Sequence, residues 1–287
     1  MHPGVSSIAR RLRVKSLLLI AAFAPFTIGC ASVRLGISSS PFPHFPLTQK
    51  LDANGVPTWA ILPPSYNPQV ATPWIIYNHG FGQTIDSIAA DVPQSRFIMS
   101  LAEAGFVVVA SDYRNLACWG NSQCAEDVAN LQTLWKSQLN LMPKPFVIGE
   151  SMGGIVTWNA ISHGALSPAA VVGIYPVCNL AAMNKNSVFL PTIQSAFGFT
   201  SQAQYPAATE GYDPLLTPAS KFAGFPIVLW ASHSDHVVVR SSNEDPFARA
   251  IRVAGGNITI YSSTGEHGDP SNFDAPAVIS LFRGIEK

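Results

Sequence analysis

The feature that most constrains this chain is a series of short apolar runs, rich in Val and Ile, each followed by a longer stretch with helical spacing. Runs at 74–78, 106–110, 145–149, 170–175 and 227–231 are near-continuous rather than alternating, which predicts strands covered on both faces, and 257–261 reads as one further strand. Helical patterns fill 90–104, 126–139, 152–162, 245–254 and 275–283, with Gly105 and Gly164 standing where C-caps belong. Strand and helix in alternation require crossover connections, and hence a largely parallel sheet flanked by helices. The fold class is therefore α/β. An earlier run, 58–62, stopped by Pro63-Pro64, predicts one antiparallel strand.

The first 30 residues read as a leader rather than as part of the fold. Arg10, Arg11, Arg13 and Lys15 precede an apolar run over 17–28, and Gly29-Cys30-Ala31-Ser32 follows. This is the order of a secretory signal, too short to span a bilayer comfortably. Gly29-Cys30 fits a lipoprotein box that would leave Cys30 lipidated, although Thr27 stands where such boxes carry Leu; cleavage after Ala31 and an uncleaved anchor are the alternatives. The expectation is a secreted or extracytoplasmic protein, with the N-terminus as a membrane tether if Cys30 carries lipid. Residues 31–48, rich in Ser and Pro, read as a linker, and 49–287 as one domain.

The chain has 17 basic and 17 acidic residues, a net charge of +0, and only 12% charged residues. That share is about half the usual ~25%. Such a surface offers no electrostatic attraction to nucleic acid or an anionic membrane, and suits uncharged substrates. Cys118 and Cys124 bracket a polar loop and are expected to pair in an oxidising compartment. Cys178 is left as a buried thiol or as an alternative partner. No His/Cys cluster has metal-ligand spacing, so no metal is expected. Gly80-Phe81-Gly82 resembles a dinucleotide loop, but Ile85 holds the place of the third glycine, so no cofactor is expected.

The chemistry concentrates around Gly149-Glu150-Ser151-Met152-Gly153-Gly154. An apolar strand feeds into this run and a helix leaves it, the setting of a strained turn that presents a serine hydroxyl at the carboxyl edge of a sheet. A serine needs a base. His267, in the loop after the 257–261 strand, fits best; His163, His233 and His236 are read as structural or loop residues. Asp235, just past the 227–231 strand, is the expected acid, with Asp213 as competitor. The backbone N–H groups of Phe81 and Met152 are expected to receive an oxyanion. His79 is read as a structural residue of the same loop.

Residues 178–224 break the rhythm: long, nearly uncharged and rich in aromatics, they read as a cap over the site. Gly80, Glu150, Phe189, Phe197 and Tyr212 are expected to line the substrate pocket.

Asn78-His79-Gly80-Phe81-Gly82, Gly149-Glu150-Ser151-Met152-Gly153-Gly154, Ser234-Asp235-His236-Val237-Val238 and Glu266-His267-Gly268 follow one another in the order of the α/β-hydrolase superfamily. Over roughly 55–285 the chain resembles that superfamily, and within it the secreted bacterial carboxylesterases and the polyester-hydrolase branch. It departs from that branch at Glu150, where Trp or His is common, and in the length of 178–224. The resemblance implies an α/β-hydrolase fold and a Ser151–His267–Asp235 triad that hydrolyses a small or medium uncharged carboxylic ester through an acyl-enzyme. The alternatives are an exo- or prolyl-type serine peptidase, with Glu150 or Asp213 meeting the substrate's amine, and a non-catalytic surface-binding protein.

Overall fold

Eight strands form a single sheet in the order β1-β2-β4-β3-β5-β6-β7-β8. The structure, a computed structural model, describes residues 47–286. The leader, Cys30 and most of the 31–48 segment lie outside them. The strands are β1 (Leu47–Leu51), β2 (Pro57–Ile61), β3 (Trp74–Asn78), β4 (Val107–Ser111), β5 (Phe146–Glu150), β6 (Ala170–Ile174), β7 (Ile227–Ser232) and β8 (Ile258–Ser263). β2 pairs antiparallel with both β1 and β4, and every pairing from β4 through β3 to β8 is parallel. Strand β1 begins inside the stretch read as linker. Its residues are half-buried or exposed, so no apolar run announces it.

The helices are α1 (Ile85–Ala90), α2 (Val92–Glu103), α3 (Ser122–Gln138), α4 (Met152–Ser162), α5 (Leu180–Asn184), α6 (Leu190–Phe197), α7 (Tyr205–Ala208), α8 (Glu244–Val253) and α9 (Ala275–Ile285). Successive residues of each central strand serve opposite layers. Trp74, Ile76, Val107 and Val109 belong to one apolar core, and Ile75, Tyr77, Val108 and Phe106 to the other. This two-sided burial is why the runs are unbroken in sequence. Helix α3 starts four residues earlier than its apolar spacing suggests, because Asn121 caps it by accepting from the Cys124 N–H at 3.2 Å.

Register sets what meets at the carboxyl edge. Asn78 pairs with Gly149, which brings the loop after β3 beside the turn after β5. Ser232 pairs with Ser263, so the loops after β7 and β8 leave the sheet side by side. Residues 178–224 form α5, α6, α7 and a short 3₁₀ turn over Ala219–Phe222.

Candidate active site

Ser151 occupies the turn between β5 and α4 with φ 50° and ψ −118°. A residue with a Cβ reaches positive φ only when its surroundings over-determine it. Here the Ser151 N–H donates to Ile174 O at 3.0 Å, and its carbonyl accepts from Gly154 at 2.9 Å and Val177 at 2.8 Å. The turn is that tight because α4 runs against the end of β3. A Cβ at Gly153 would collide with the Asn78 carbonyl oxygen, and one at Gly149 would lie 2.7 Å from Thr157 Oγ1.

Ser151 Oγ lies 2.9 Å from His267 Nε2, and His267 Nδ1 lies 2.8 Å from Asp235 Oδ2. The Asp235 side chain is 2% exposed, and its other oxygen accepts from the Val237 and Val238 N–H groups at 2.8 and 2.9 Å. The carboxylate is thus fully engaged and pinned. The Tyr175 ring packs against the imidazole, with centroids 4.3 Å apart.

The loop after β3 arches over this turn. A Cβ at Gly80 would lie 3.4 Å from Ser151 Cβ. The Gly80 N–H donates to Gln83 Oε1 at 2.7 Å and the Gly82 N–H to Leu116 O at 2.9 Å. Neither the Phe81 nor the Met152 N–H donates to a protein acceptor among the described residues. His79 is fully buried; its Nδ1 is 3.0 Å from Gly80 O and its ring packs on Tyr113. Burial pushes its pKa down to about 4, so it is a neutral brace for the loop.

Beside Ser151 and His267 a cavity of about 270 Å³ is bordered by Gly80, Phe81, Gln83, Asp91, Gln94, Glu150, Tyr175, Phe189, Val237, Gly268 and Phe273. Its Asp, Glu, Lys, Arg and His side chains are Asp91, Glu150 and His267 alone. Phe81, Trp119 and Phe189 form a triangle of rings, with centroids 5.2–5.6 Å apart, behind one wall. Trp119 sits in the loop closed by the Cys118–Cys124 disulfide and donates from its indole to Thr192 Oγ1 at 2.9 Å.

No family model and no curated protein matches the sequence. Solved structures do. The chain is similar to acylaminoacyl peptidase from Pyrococcus horikoshii, at 16% identity and TM-score 0.64, over 84% of this chain and 41% of that one. It is similar to puromycin hydrolase at 18% identity and TM-score 0.65, over 88% and 40%. TT1662 from Thermus thermophilus matches at 15% identity and TM-score 0.63, over 84% and 98%. This chain has the α/β-hydrolase fold. It spans about two fifths of the length of the first two of those proteins.

On this α/β-hydrolase sheet, the structure brings Ser151, His267 and Asp235 together and sets Gly80, Glu150 and Phe189 around the same cavity. It does not bring Phe197 and Tyr212 there. They pack on each other and border a separate depression with Asn121 and Ala208, where Tyr212 also stacks on His163. Aromatic content marks the segment as apolar but does not say which side chains turn toward Ser151. Asp213 is a brace for α5, accepting from the Ala181 and Leu215 N–H groups. His236 and Glu266 form a loose, exposed pair at 3.6 Å, away from the relay. Cys178 is a free, buried thiol. Sequence reasoning missed Gln83, Gln94, Tyr175 and Trp119. Only Trp119 carried a signal, standing between two cysteines.

Proposed function

We propose that this chain is a serine hydrolase that cleaves a carboxylic acyl bond through an acyl-enzyme. The observation that carries the reading is the unbroken relay from Ser151 Oγ through His267 to Asp235. Asp235 holds the imidazole with its proton on Nδ1, which leaves Nε2 free to accept the serine proton as Oγ attacks the carbonyl. The imidazolium so formed is stabilised by the same carboxylate. The oxyanion is received by the Phe81 and Met152 amides, which have no competing acceptor among the described residues. His267 then gives its proton to the leaving group, and water repeats the sequence to free the acid.

The leaving group is either an amine or an alcohol. The amide reading has the broader support: the similar structures include an acylaminoacyl peptidase, and a cavity with Asp91 and Glu150 but no Lys or Arg suits an uncharged or amine-bearing group. The ester reading, drawn from the motifs, stands second. Turnover of aminoacyl-β-naphthylamides and of p-nitrophenyl esters should be compared with Ser151→Ala as control. Amide turnover that is lost in Ser151→Ala supports the first reading. Ester turnover with no amide turnover supports the second. Wild-type protein that neither turns over nor reacts at Ser151 with a fluorophosphonate overturns both and leaves a binding protein on a hydrolase scaffold.

A further inference from the structure

Glu150, the residue before Ser151, is a buried carboxyl that the relay does not use. It is 3% exposed and ends β5. Four hydrogen bonds converge on it: the Tyr77 hydroxyl donates to Oε2, the Tyr175 hydroxyl to Oε1 at 2.8 Å, and Gln94 Nε2 to both oxygens at 2.6 and 2.7 Å. Every partner is neutral and every partner donates, the environment of an ionised acceptor. No Lys or Arg borders the cavity, and no ion pair engages Glu150 among the described residues. A buried carboxylate without a cation is costly. Something must make its retention worthwhile.

The group nearby that can become a cation is His267. Tyr175 joins the two: its hydroxyl is held by Glu150 and its ring lies against the imidazole. Tyr175 is itself at φ 36°, and its N–H is tied to Trp230 O at 2.8 Å. This non-glycine residue is held in a sparsely populated conformation at the point where Glu150 meets His267.

We propose that Glu150 is a positioning residue for His267, acting through Tyr175 and through its own negative charge on the imidazolium. The inference rests on the serine-hydrolase reading. Before attack the imidazole is neutral and Glu150 is uncompensated; once Nε2 takes the serine proton, a cation faces it. The interaction therefore strengthens as the reaction proceeds, which is the condition for lowering a barrier rather than merely tightening binding. The other groups facing this cluster are Asp235 at Nδ1, Asp91 on the cavity wall, and Tyr77 and Tyr113 behind it. Both tyrosine hydroxyls are pushed well above their ordinary value, chiefly by burial, so neither titrates with His267. Burial also raises the Glu150 carboxyl, while its hydrogen bonds and His267 pull it back.

The test is the titration of His267. Removing the negative charge disfavours the imidazolium, so in Glu150→Gln the acid limb of kcat/KM should move to lower pH by about 0.5–1 unit. The plateau should fall by roughly tenfold. The His267 resonance, followed by NMR in the same variant, should shift by the same amount without any substrate. Tyr175→Phe keeps the ring and removes the tether; it should move the limb in the same direction by less, and it serves where Glu150→Gln does not fold. Fluorophosphonate labelling of Ser151 in the wild type keeps the two claims apart. Labelling together with an unmoved His267 titration in both variants overturns the role of Glu150 alone. Absence of labelling brings down the hydrolase reading and the role with it.

Discussion

Strain at single residues is where this site is most exposed to measurement. Ser151 holds φ 50° and ψ −118° while carrying a side chain, a conformation that costs on the order of 1–3 kcal/mol. Glycine adopts it freely but loses about 0.4–1 kcal/mol to unfolded-state entropy. Ser151→Gly should therefore be inert toward fluorophosphonate yet more stable than the wild type by about 1 kcal/mol, as read from urea unfolding. Equal or lower stability would show that the turn stores no strain. At this scale the sequence was most legible where chemistry sits in short contiguous runs. Ser151, Asp235 and His267 each stand in such a run. Tyr175 and Gln94 do not, since their relation to Glu150 exists only once β6 and α2 have packed beside β5.

Among the elements, the loop closed by Cys118 and Cys124 does more than cap α3. Trp119 within it holds φ 48° and is 1% exposed. It supports Phe81 and Phe189 from behind, while Asn121 donates to Ala196 O at 2.8 Å and Gly120 O accepts from Asn159 at 2.9 Å. One short loop thus ties α6, α4 and the loop after β3 together. Replacing both cysteines by serine should cost about 2 kcal/mol of unfolding free energy. It should also raise KM more than it lowers kcat, because the cavity wall slackens while the relay does not depend on that loop. Steady-state kinetics beside thermal melts check this; a loss of stability with KM unchanged would confine the disulfide to scaffolding. Strands β3 to β7, buried throughout, were legible from their apolar runs, whereas β8 alternates and is largely exposed. Strand β1 and helices α5 to α7 were not, being short, partly exposed and held by tertiary contacts rather than by periodicity.

Taken whole, the molecule buries titratable groups that answer acid in opposite directions. His79 is neutral in the folded state with a pKa of about 4, against an ordinary 6.5. Between those values the unfolded chain takes up the proton and the folded one does not. Stability is untouched above pH 6.5 and is lost as pH falls toward 4, by about 3 kcal/mol in all. Glu150, Asp213 and Glu244 are raised by burial and act the other way, gaining protons more readily when folded. In His79→Asn the fall in stability between pH 6.5 and 4 should be shallower than in the wild type by about that amount. Chemical denaturation at a series of pH values measures it; parallel curves would mean that His79 is not held neutral.

The partners of the relay stand far apart along the chain: 116 residues separate Ser151 from His267, and Asp235 falls between them. A polypeptide emerging from its N-terminus therefore completes the strained serine turn long before the imidazole exists. Until β8 docks on β7 and the loop beyond it folds back, the hydroxyl is an ordinary alcohol. On the proposed hydrolase reading the chain is born latent, and turnover would report that the last part of the sheet is in place.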